Sequence, residues 1–135
     1  MDLQQYIGIP FIDHGRDREG CDCWGLVRLV YREQLGIEFP DFGDEYSEAY
    51  ARGEVSKIME REAQKEWCVD VTNAPWKLLD IMSFTRCGVE SHVGMFVRPT
   101  EVLHVVEGAL TTIERYDTVK WRNRLCRVIR HAEVA

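Results

Sequence analysis

Three features that this chain lacks narrow its possible functions. Its first residues, Met1 to Tyr6, contain no basic stretch followed by an apolar one, so no secretory signal is predicted. No apolar run approaches the about 20 residues that cross a bilayer, so membrane insertion is not expected. With 17 basic against 23 acidic residues, the chain also has no surplus of positive charge for a nucleic-acid backbone. The sequence therefore predicts a globular protein that neither binds nucleic acid nor spans a membrane.

The cysteines do not form the pattern of a disulfide scaffold or of a zinc site. There are 5 of them at irregular spacing, and an odd number favours free thiols in a reducing compartment. A structural zinc site needs two closely spaced pairs of cysteine or histidine, and only Cys21 and Cys23 lie close together. We therefore expect no metal and no other cofactor.

The first half of the chain has the periodicity of helices. Residues 1–8 are predicted to form a short helix, and residues 10–20 a solvated loop rich in charge. Apolar residues at helical spacing predict a helix over Cys23 to Leu35, with Gly36 as its stop. Ser47 is the predicted cap of a second, outer helix that runs to about Gln64 or Glu66.

The second half has the short, β-branched segments of strands, predicted over residues 80–85, 92–97, 102–106, 111–115 and 124–130. Gly88, Pro99 and Gly108 separate the first four. Helices followed by an antiparallel meander predict a single α+β domain over residues 1–135. Residues 110–135, which include Trp121, either complete the sheet or form a docking surface.

A cysteine stands where the long helix is predicted to begin. Cys23 follows Asp22 at the end of a polar loop and opens the apolar run. The free N–H groups and the positive dipole end of a helix stabilise a thiolate, which is the reactive form of cysteine. A cysteine in this place is nevertheless more often a small buried apolar residue. Cys23 is therefore a candidate nucleophile only if a base lies close to it.

Two histidines supply candidate partners for this thiol. His92 opens one predicted strand and His104 lies in the next. A hairpin that turns at Pro99 would place the two residues directly opposite one another, with Cβ atoms about 4.5–5.5 Å apart. Gly94 would share their face and leave room for the start of a helix. Taken singly, a strand histidine is more often a polar edge residue or a core group, but a cysteine, a base and an orienting group together form a catalytic triad.

Three motifs carry a resemblance to a known family. They are IGIPF (7–11) with GRD (15–17) and GCDCWGLV (20–27), then DIMSF (80–84) with SHVGMFV (91–97), and last VLH (102–104). In this order and spacing they resemble the motifs of NlpC-type peptidoglycan endopeptidases, which are papain-like cysteine peptidases. The first motif is most similar to the form found in tail proteins of lambda-like phages. The resemblance implies a papain-like fold, with N-terminal helices packed on an antiparallel sheet.

The resemblance also implies a role for each member of the triad. Cys23 would be the nucleophile, His92 the general base and acid, and His104 the group that orients His92. The thiolate would attack a peptide carbonyl, backbone N–H groups at the helix start would hold the oxyanion, and water would release the thioester. The family's usual bond joins γ-linked D-glutamate to a diamino acid in the peptidoglycan stem peptide. Nothing else in the sequence indicates that specificity.

Four further residues are candidates for substrate contact. Many family members have Tyr at the position of Phe11 and Ser at that of Trp24, and His14 stands where a Gly-Gly pair is common. These departures put substrate contacts in question, since Trp24 has core packing and His14 a plain loop position as alternatives. Asp22, the fourth candidate, is more readily explained as a cap of the helix or an organiser of the loop.

The leading hypothesis is a peptidoglycan endopeptidase carried by a phage or prophage tail and made in the host cytoplasm. Its partners would be the stem peptide and other tail proteins. The tail would localise it, because the sequence predicts neither a secretion signal nor a wall-binding domain. Two alternatives remain open. One is a tail-assembly protein whose peptidase fold is weak or inactive, and the other is a papain-like amidase or acyltransferase acting on a small substrate.

Overall fold

The fold, described over residues 1–135 by a computed structural model, combines two α-helices with eight strands. The helices are α1 (Cys23–Leu35) and α2 (Arg52–Glu62), and short 3-10 turns lie near the two chain ends. Neither helix has the length and apolar character needed to cross a membrane. The strands are β1 (Arg16–Asp17), β2 (Gly20–Cys21), β3 (Cys68–Asp70), β4 (Ile81–Arg86), β5 (Val89–Arg98), β6 (Glu101–His104), β7 (Thr112–Arg115) and β8 (Leu125–His131).

Six strands form one antiparallel sheet in the order β3-β8-β4-β5-β6-β7, while β1 and β2 form a separate small hairpin. Strands β4 to β7 are the predicted meander. The last strand does not extend that meander, because β8 pairs with β3 and β4 on the far side of the sheet. The C-terminal segment therefore completes the sheet, which was one of the two predicted alternatives. Its strand β8 lies between β3 and β4 and not at an edge.

Helix α1 begins and ends where its sequence predicts. The side chain of Asp22 accepts a hydrogen bond from the N–H of Gly25, which satisfies one of the free donors at the helix start. At the other end Gly36 takes a left-handed conformation (φ 66°), and its N–H bonds to the carbonyl of Arg32. The apolar positions between them face the sheet. The predicted helix over Cys23 to Leu35 is confirmed.

Both faces of the sheet are apolar, and other parts of the chain cover each of them. The face under the helices holds a cluster of 18 buried residues, among them Leu26, Val93 and Met95. The opposite face holds a second cluster of seven, made by Val71, Met82, Phe84, Phe96, Val102, Trp121 and Val128. Alternate residues of one strand, such as Met95 and Phe96, therefore enter different clusters. The loop that carries Trp121 covers the second face.

Two predicted helix boundaries were wrong. Helix α2 starts at Arg52 with Ala51 at its cap position, where no side chain bonds to the helix. The Ser47 hydroxyl instead donates to a carboxylate oxygen of Glu54 at 2.6 Å, so it ties the preceding loop to the first turn. At the N-terminus only Gln4–Tyr6 form a 3-10 turn, in place of the longer helix predicted.

The pairing of β5 with β6 differs from the predicted register by two residues. Met95 pairs with Leu103 and Phe96 with Val102, so His104 lies opposite Gly94 and not opposite His92. The turn is centred one position later than predicted, and the register is irregular between Phe96 and Arg98. A shift of two residues leaves every side chain on its predicted face, whereas a shift of one would have reversed them.

A buried ion pair ties β8 to the start of β4, and its removal should be costly. The guanidinium of Arg130 donates to both carboxylate oxygens of Asp80, at 2.8 and 2.7 Å. We expect Asp80→Ala to lower the free energy of unfolding by about 3 kcal/mol, because it leaves a buried cation without its partner. Urea denaturation measures this loss. Asp117→Ala, which breaks the exposed Arg115–Asp117 pair, is the matched control and should leave the midpoint nearly unchanged.

Candidate active site

A buried carboxylate fixes the start of α1. Asp22 is 1% exposed, and its two oxygens accept four hydrogen bonds, from the N–H groups of Gly25 and His14, the Arg16 guanidinium and the Tyr46 hydroxyl. An ionised carboxylate offers about four acceptor positions, and all are used within the protein. The predicted role of Asp22 as cap and loop organiser is confirmed. Its geometry leaves no lone pair for a direct substrate contact.

Arg16 belongs to this network, although the sequence predicted a solvated loop there. Its guanidinium bonds to Asp22 at 2.8 Å, to the Tyr46 hydroxyl at 2.6 Å and to the Asp41 carboxylate at 3.3 Å. Its side chain is only 14% exposed. The prediction of a solvated charge was wrong for Arg16, because a run of charges does not show which member finds a buried partner. Tyr46 was missed because it lies 24 positions from Asp22 in the chain.

The Cys23 thiol is buried, with 8% of the residue exposed. Burial, followed by the charge of Asp22, raises the pKa of this thiol to about 11, although Arg86 and the backbone N–H groups of Val93 and Trp24 act in the opposite direction. The start of α1 therefore does not hold a preformed thiolate at neutral pH, contrary to the expectation from the helix dipole alone. A base must remove the proton for Cys23 to react.

The two histidines meet as a hydrogen-bonded pair. His92 Nε2 lies 2.8 Å from His104 Nδ1, and both residues are 1% exposed. In the observed register His92 and His104 are diagonal neighbours on adjacent strands, and their rings meet across that diagonal. Gly94 makes this possible, because a Cβ atom there would lie 3.0 Å from the His104 Cβ and 2.6 Å from Val102 Cγ2. Gly94 thus makes room for β6, not for the start of a helix as predicted.

The pair continues into two residues that sequence reasoning did not identify. His104 Nε2 lies 2.8 Å from Glu114 Oε1, and the other oxygen of Glu114 accepts a hydrogen bond from the Trp121 indole at 2.9 Å. The Trp121 ring also stacks on His92, with ring centroids 5.4 Å apart. The available signal was the position of Glu114 in a predicted strand next to that of His104. Nothing in the sequence placed Trp121 there.

Cys23 and His92 both lie at the same part of β5. The thiol lies in the cluster under the helices and close to the N–H of Val93, the residue after His92. The His92 ring contacts those of Phe84 and Trp121, with centroids 5.8 and 5.4 Å apart. No hydrogen bond joins Cys23 to His92. The nitrogen of His92 that has no hydrogen-bond partner is Nδ1, since Nε2 is the one bonded to His104.

Burial controls the charge of both imidazoles. It lowers the pKa of His92 well below its ordinary value, and the neighbouring His104 adds to the effect. Burial also lowers the pKa of His104, and outweighs the opposing influence of Glu114. Both rings are therefore neutral at pH 7. A neutral His92 with a free nitrogen can accept a proton.

The other predicted substrate contacts have structural partners. Phe11 packs against the cluster under the helices, and its N–H donates to the carbonyl of Ala109. The His14 ring stacks on that of Tyr46, with centroids 4.5 Å apart. The backbone of His14 takes a left-handed conformation, with φ of 61°. The Trp24 indole N–H donates to the carbonyl of Pro40 at 2.9 Å. Packing and loop geometry thus account for these three side chains.

A largely apolar cavity of about 90 Å³ adjoins Cys23 between α2 and the sheet. Trp24 forms part of its wall, so that this side chain can also meet a ligand there. Other lining residues are Phe42, Ile58, Met59, Trp67 and Val93. No group of three or more His, Cys, Asp or Glu side chains is arranged to hold a metal ion. The chemistry available at the site is that of a thiol, two imidazoles and a carboxylate.

The sequence model described as the NlpC/P60 family matches residues 8–130. The chain belongs to the NlpC/P60 family. The crystal structure of the NlpC/p60 domain of peptidoglycan hydrolase SagA superposes with a TM-score of 0.62 at 20% identity, over 94% of this chain and 91% of that one. The predicted α+β, papain-like NlpC/P60 fold is confirmed.

Two curated relatives are longer proteins. Gamma-DL-glutamyl hydrolase of Bacillus subtilis is 24% identical over 131 residues, which cover 93% of this chain and 27% of the relative. Murein DD-endopeptidase MepS/Murein LD-carboxypeptidase of Escherichia coli K12 is 22% identical over 117 residues, which cover 87% of this chain and 53% of the relative. This NlpC/P60 chain thus spans between about a quarter and about half of their lengths.

The protonated state of Cys23 predicts a distinctive alkylation profile. Because only the thiolate reacts and the pKa of this thiol is about 11, its rate with iodoacetamide should be low at pH 7 and rise about tenfold per pH unit up to pH 10. Peptide mass spectrometry follows each cysteine separately, with the exposed Cys87 as an internal reference that is modified first. A Cys23 rate that levels off below pH 8 would instead reveal a preformed thiolate.

Proposed function

We propose that this NlpC/P60 domain is a cysteine endopeptidase that cleaves the peptidoglycan stem peptide between γ-linked D-glutamate and a diamino acid. The observation that carries the proposal is the 2.8 Å hydrogen bond between His92 and His104. His92 is followed by Val93, whose N–H lies close to the Cys23 thiol. A buried neutral imidazole with one nitrogen bonded and the other free is suited to proton transfer. The proposed roles are nucleophile for Cys23, base and acid for His92, and orienting group for His104.

The first step is removal of the thiol proton. Since Cys23 is protonated at neutral pH, His92 Nδ1 takes its proton as the sulfur attacks the substrate carbonyl. The imidazolium that forms keeps its Nε2–H bonded to His104 Nδ1, which stabilises the positive charge. Catalytic contacts in a site without substrate are often longer than hydrogen bonds, and shorten when the substrate binds. The site thus acts by general-base activation of a thiol.

The next steps use the start of α1. Cys23 and Trp24 occupy its first two positions, whose N–H groups have no partner within the helix. These groups hold the oxyanion of the tetrahedral intermediate. As that intermediate collapses, the C–N bond breaks, and the proton on His92 passes to the leaving amine. Water, deprotonated by His92, then attacks the thioester. The C–S bond breaks, the carboxylic acid leaves, and the proton passes from His92 back to the Cys23 sulfur.

The names of the relatives support the proposed substrate. One acts on gamma-DL-glutamyl bonds and another on murein, by their own descriptions. The form of the first motif, around Asp22 and Cys23, supports a place in a phage or prophage tail, with tail proteins as partners and the virion tail as the location. Phe11 and Trp24 are the positions at which substrate preference would differ from that of other members.

A second candidate function is a tail-assembly protein in which this fold has little or no activity. The specific observation in its favour is the environment of Cys23, which is buried and carries a thiol of raised pKa. Slow alkylation at neutral pH is expected under both proposals, because an enzyme that relies on general-base activation also begins with a thiol. Turnover of the wall polymer therefore separates the two.

The test is incubation of the purified protein with peptidoglycan of the diaminopimelate type, followed by mass spectrometry of the released peptides. We expect new termini at the γ-D-glutamyl bond. Cys23→Ala and His92→Ala should each lower the rate at least about a thousandfold, because the members of a triad act as one unit. Cys87→Ala, at an exposed thiol outside the site, is the matched control and should retain the wild-type rate.

Each contrary result has its own meaning. Cleavage that survives Cys23→Ala would exclude the mechanism. Absence of any cleavage, from a protein with a normal unfolding transition, would favour the structural candidate. Products from another bond would leave the mechanism in place and change the substrate.

A further inference from the structure

The histidine pair is part of a longer chain of polar contacts that ends at Glu114 and Trp121. His92, His104, Glu114 and Trp121 are joined by successive contacts of 2.8, 2.8 and 2.9 Å. Trp121 contacts both ends of this chain of residues, because its ring stacks on His92 while its N–H bonds to Glu114. The proposed function uses only the first two of these residues. The other two must therefore be explained by what they do to the pair.

Two groups, the His104 imidazole and the Trp121 indole, each contact one oxygen of Glu114. Burial raises the pKa of Glu114, but the hydrogen bonds from His104 and Trp121 outweigh it, and the net shift is downward. The side chain is therefore an ionised carboxylate, which accepts hydrogen bonds and donates none. An indole nitrogen only donates, so Trp121 occupies Oε2. Oε1 is left to accept from His104, and His104 Nε2 must carry a hydrogen.

The position of this hydrogen determines the next one. A neutral imidazole has one N–H and one lone pair, so His104 with a hydrogen on Nε2 has a lone pair on Nδ1. That lone pair faces His92 Nε2 at 2.8 Å, and a hydrogen bond forms only if His92 Nε2 carries a hydrogen. The remaining nitrogen of His92, Nδ1, then holds the lone pair. Glu114 thus determines which nitrogen of His92 can act as a base.

We propose that Glu114 is a positioning residue that fixes the tautomers of both histidines, and that Trp121 holds Glu114 in the orientation this requires. The proposal rests on the proposed function in taking His92 as the base toward Cys23. It adds a carboxylate and an indole to the three residues of the triad. During the reaction the same carboxylate stabilises the imidazolium through the intervening His104 ring.

Glutamine cannot replace Glu114, although it is nearly isosteric. Both neighbours, His104 Nε2 and Trp121 Nε1, are donors, and an amide offers one oxygen and one NH₂ group. In either orientation one donor meets the NH₂ group. An amide bonded to Trp121 leaves His104 free to take the other tautomer, with its hydrogen on Nδ1. His92 would then lose its donor role, and its lone pair would move to the nitrogen that faces away from the substrate.

The tautomers can be measured without any substrate. We propose multiple-bond ¹H–¹⁵N correlation spectra of the histidine rings in ¹⁵N-labelled Cys23→Ala protein at pH 7.5, with assignments from His92→Gln and His104→Gln. The expected result is a neutral Nε2–H tautomer for both histidines. Glu114→Gln should convert them to mixed tautomers. Glu101→Gln, at a carboxylate on β6 that pairs with the exposed Arg98, should leave the spectrum unchanged.

A double variant tests the part assigned to Trp121. Phenylalanine has no N–H, so Trp121→Phe frees the amide oxygen of Glu114→Gln to accept from His104. The combined variant should regain the Nε2–H tautomers that Glu114→Gln loses. A merely structural effect predicts the opposite, because two substitutions in one buried cluster should disturb it more than one.

Kinetics supply an independent measurement. Glu114→Gln should lower kcat about 10- to 100-fold with little change in KM, a loss of the size found when the outer hydrogen-bond partner of a metal-ligating histidine is removed. Tautomers that do not respond to Glu114→Gln, or a His104 with its hydrogen on Nδ1 in the parent protein, would overturn the inference even if peptidoglycan is cleaved. Conversely, a protein that cleaves nothing but shows these tautomers would refute the proposed function and leave the inference standing.

Discussion

The position of Cys23 depends on the buried carboxylate of Asp22. That group caps α1, ties the loop through His14, and holds Arg16 and Tyr46 against the start of the helix. Its negative charge, next to the thiol, also opposes ionisation of Cys23. The interaction that positions Cys23 thus adds to burial, which is the larger cause, in raising the pKa of this thiol. The dipole of α1 does not overcome burial and this charge together.

Under the proposed function, this constraint requires the rest of the site to supply a base of defined protonation. A resting thiolate would need only a nearby cation, whereas a thiol needs a lone pair aimed at its proton. The sheet provides one through contacts between β5, β6 and β7, which bring His92, His104 and Glu114 into a line. Burial keeps both imidazoles neutral, so that the lone pair is available at pH 7.

The parts of this arrangement that depend on neighbouring residues were predictable from the sequence. Helix α1, its cap Asp22 and its stop Gly36 are encoded within a few positions of one another. The shared face of His92 and His104 was also predictable, because strand faces repeat every two residues and a two-residue error in register preserves them. The register itself was not, since it depends on where the turn near Pro99 is centred.

Contacts between distant segments could not be predicted from local patterns. Arg16 reaches Asp22 and Asp41 only because the loop folds back, and β8 pairs with β4 although the whole meander separates them in the chain. Trp121 lies in a segment with no regular period, and its contact with His92 follows from the chain path after β7. Glu114 occupied a predicted strand, but a carboxylate on a strand is usually solvated. Its role follows from the partners on either side, which the fold alone brings together.

Trp24, which follows Cys23, supports the same network. Trp24 packs between Phe39 and Phe42, and its indole N–H bonds to the carbonyl of Pro40. The loop it holds carries Asp41, which bonds to Arg16, and Arg16 bonds in turn to Asp22. The large side chain in place of the usual serine therefore supports the network that places Cys23. The residue next to Cys23 is thus connected, through Asp41 and Arg16, to the carboxylate that caps α1.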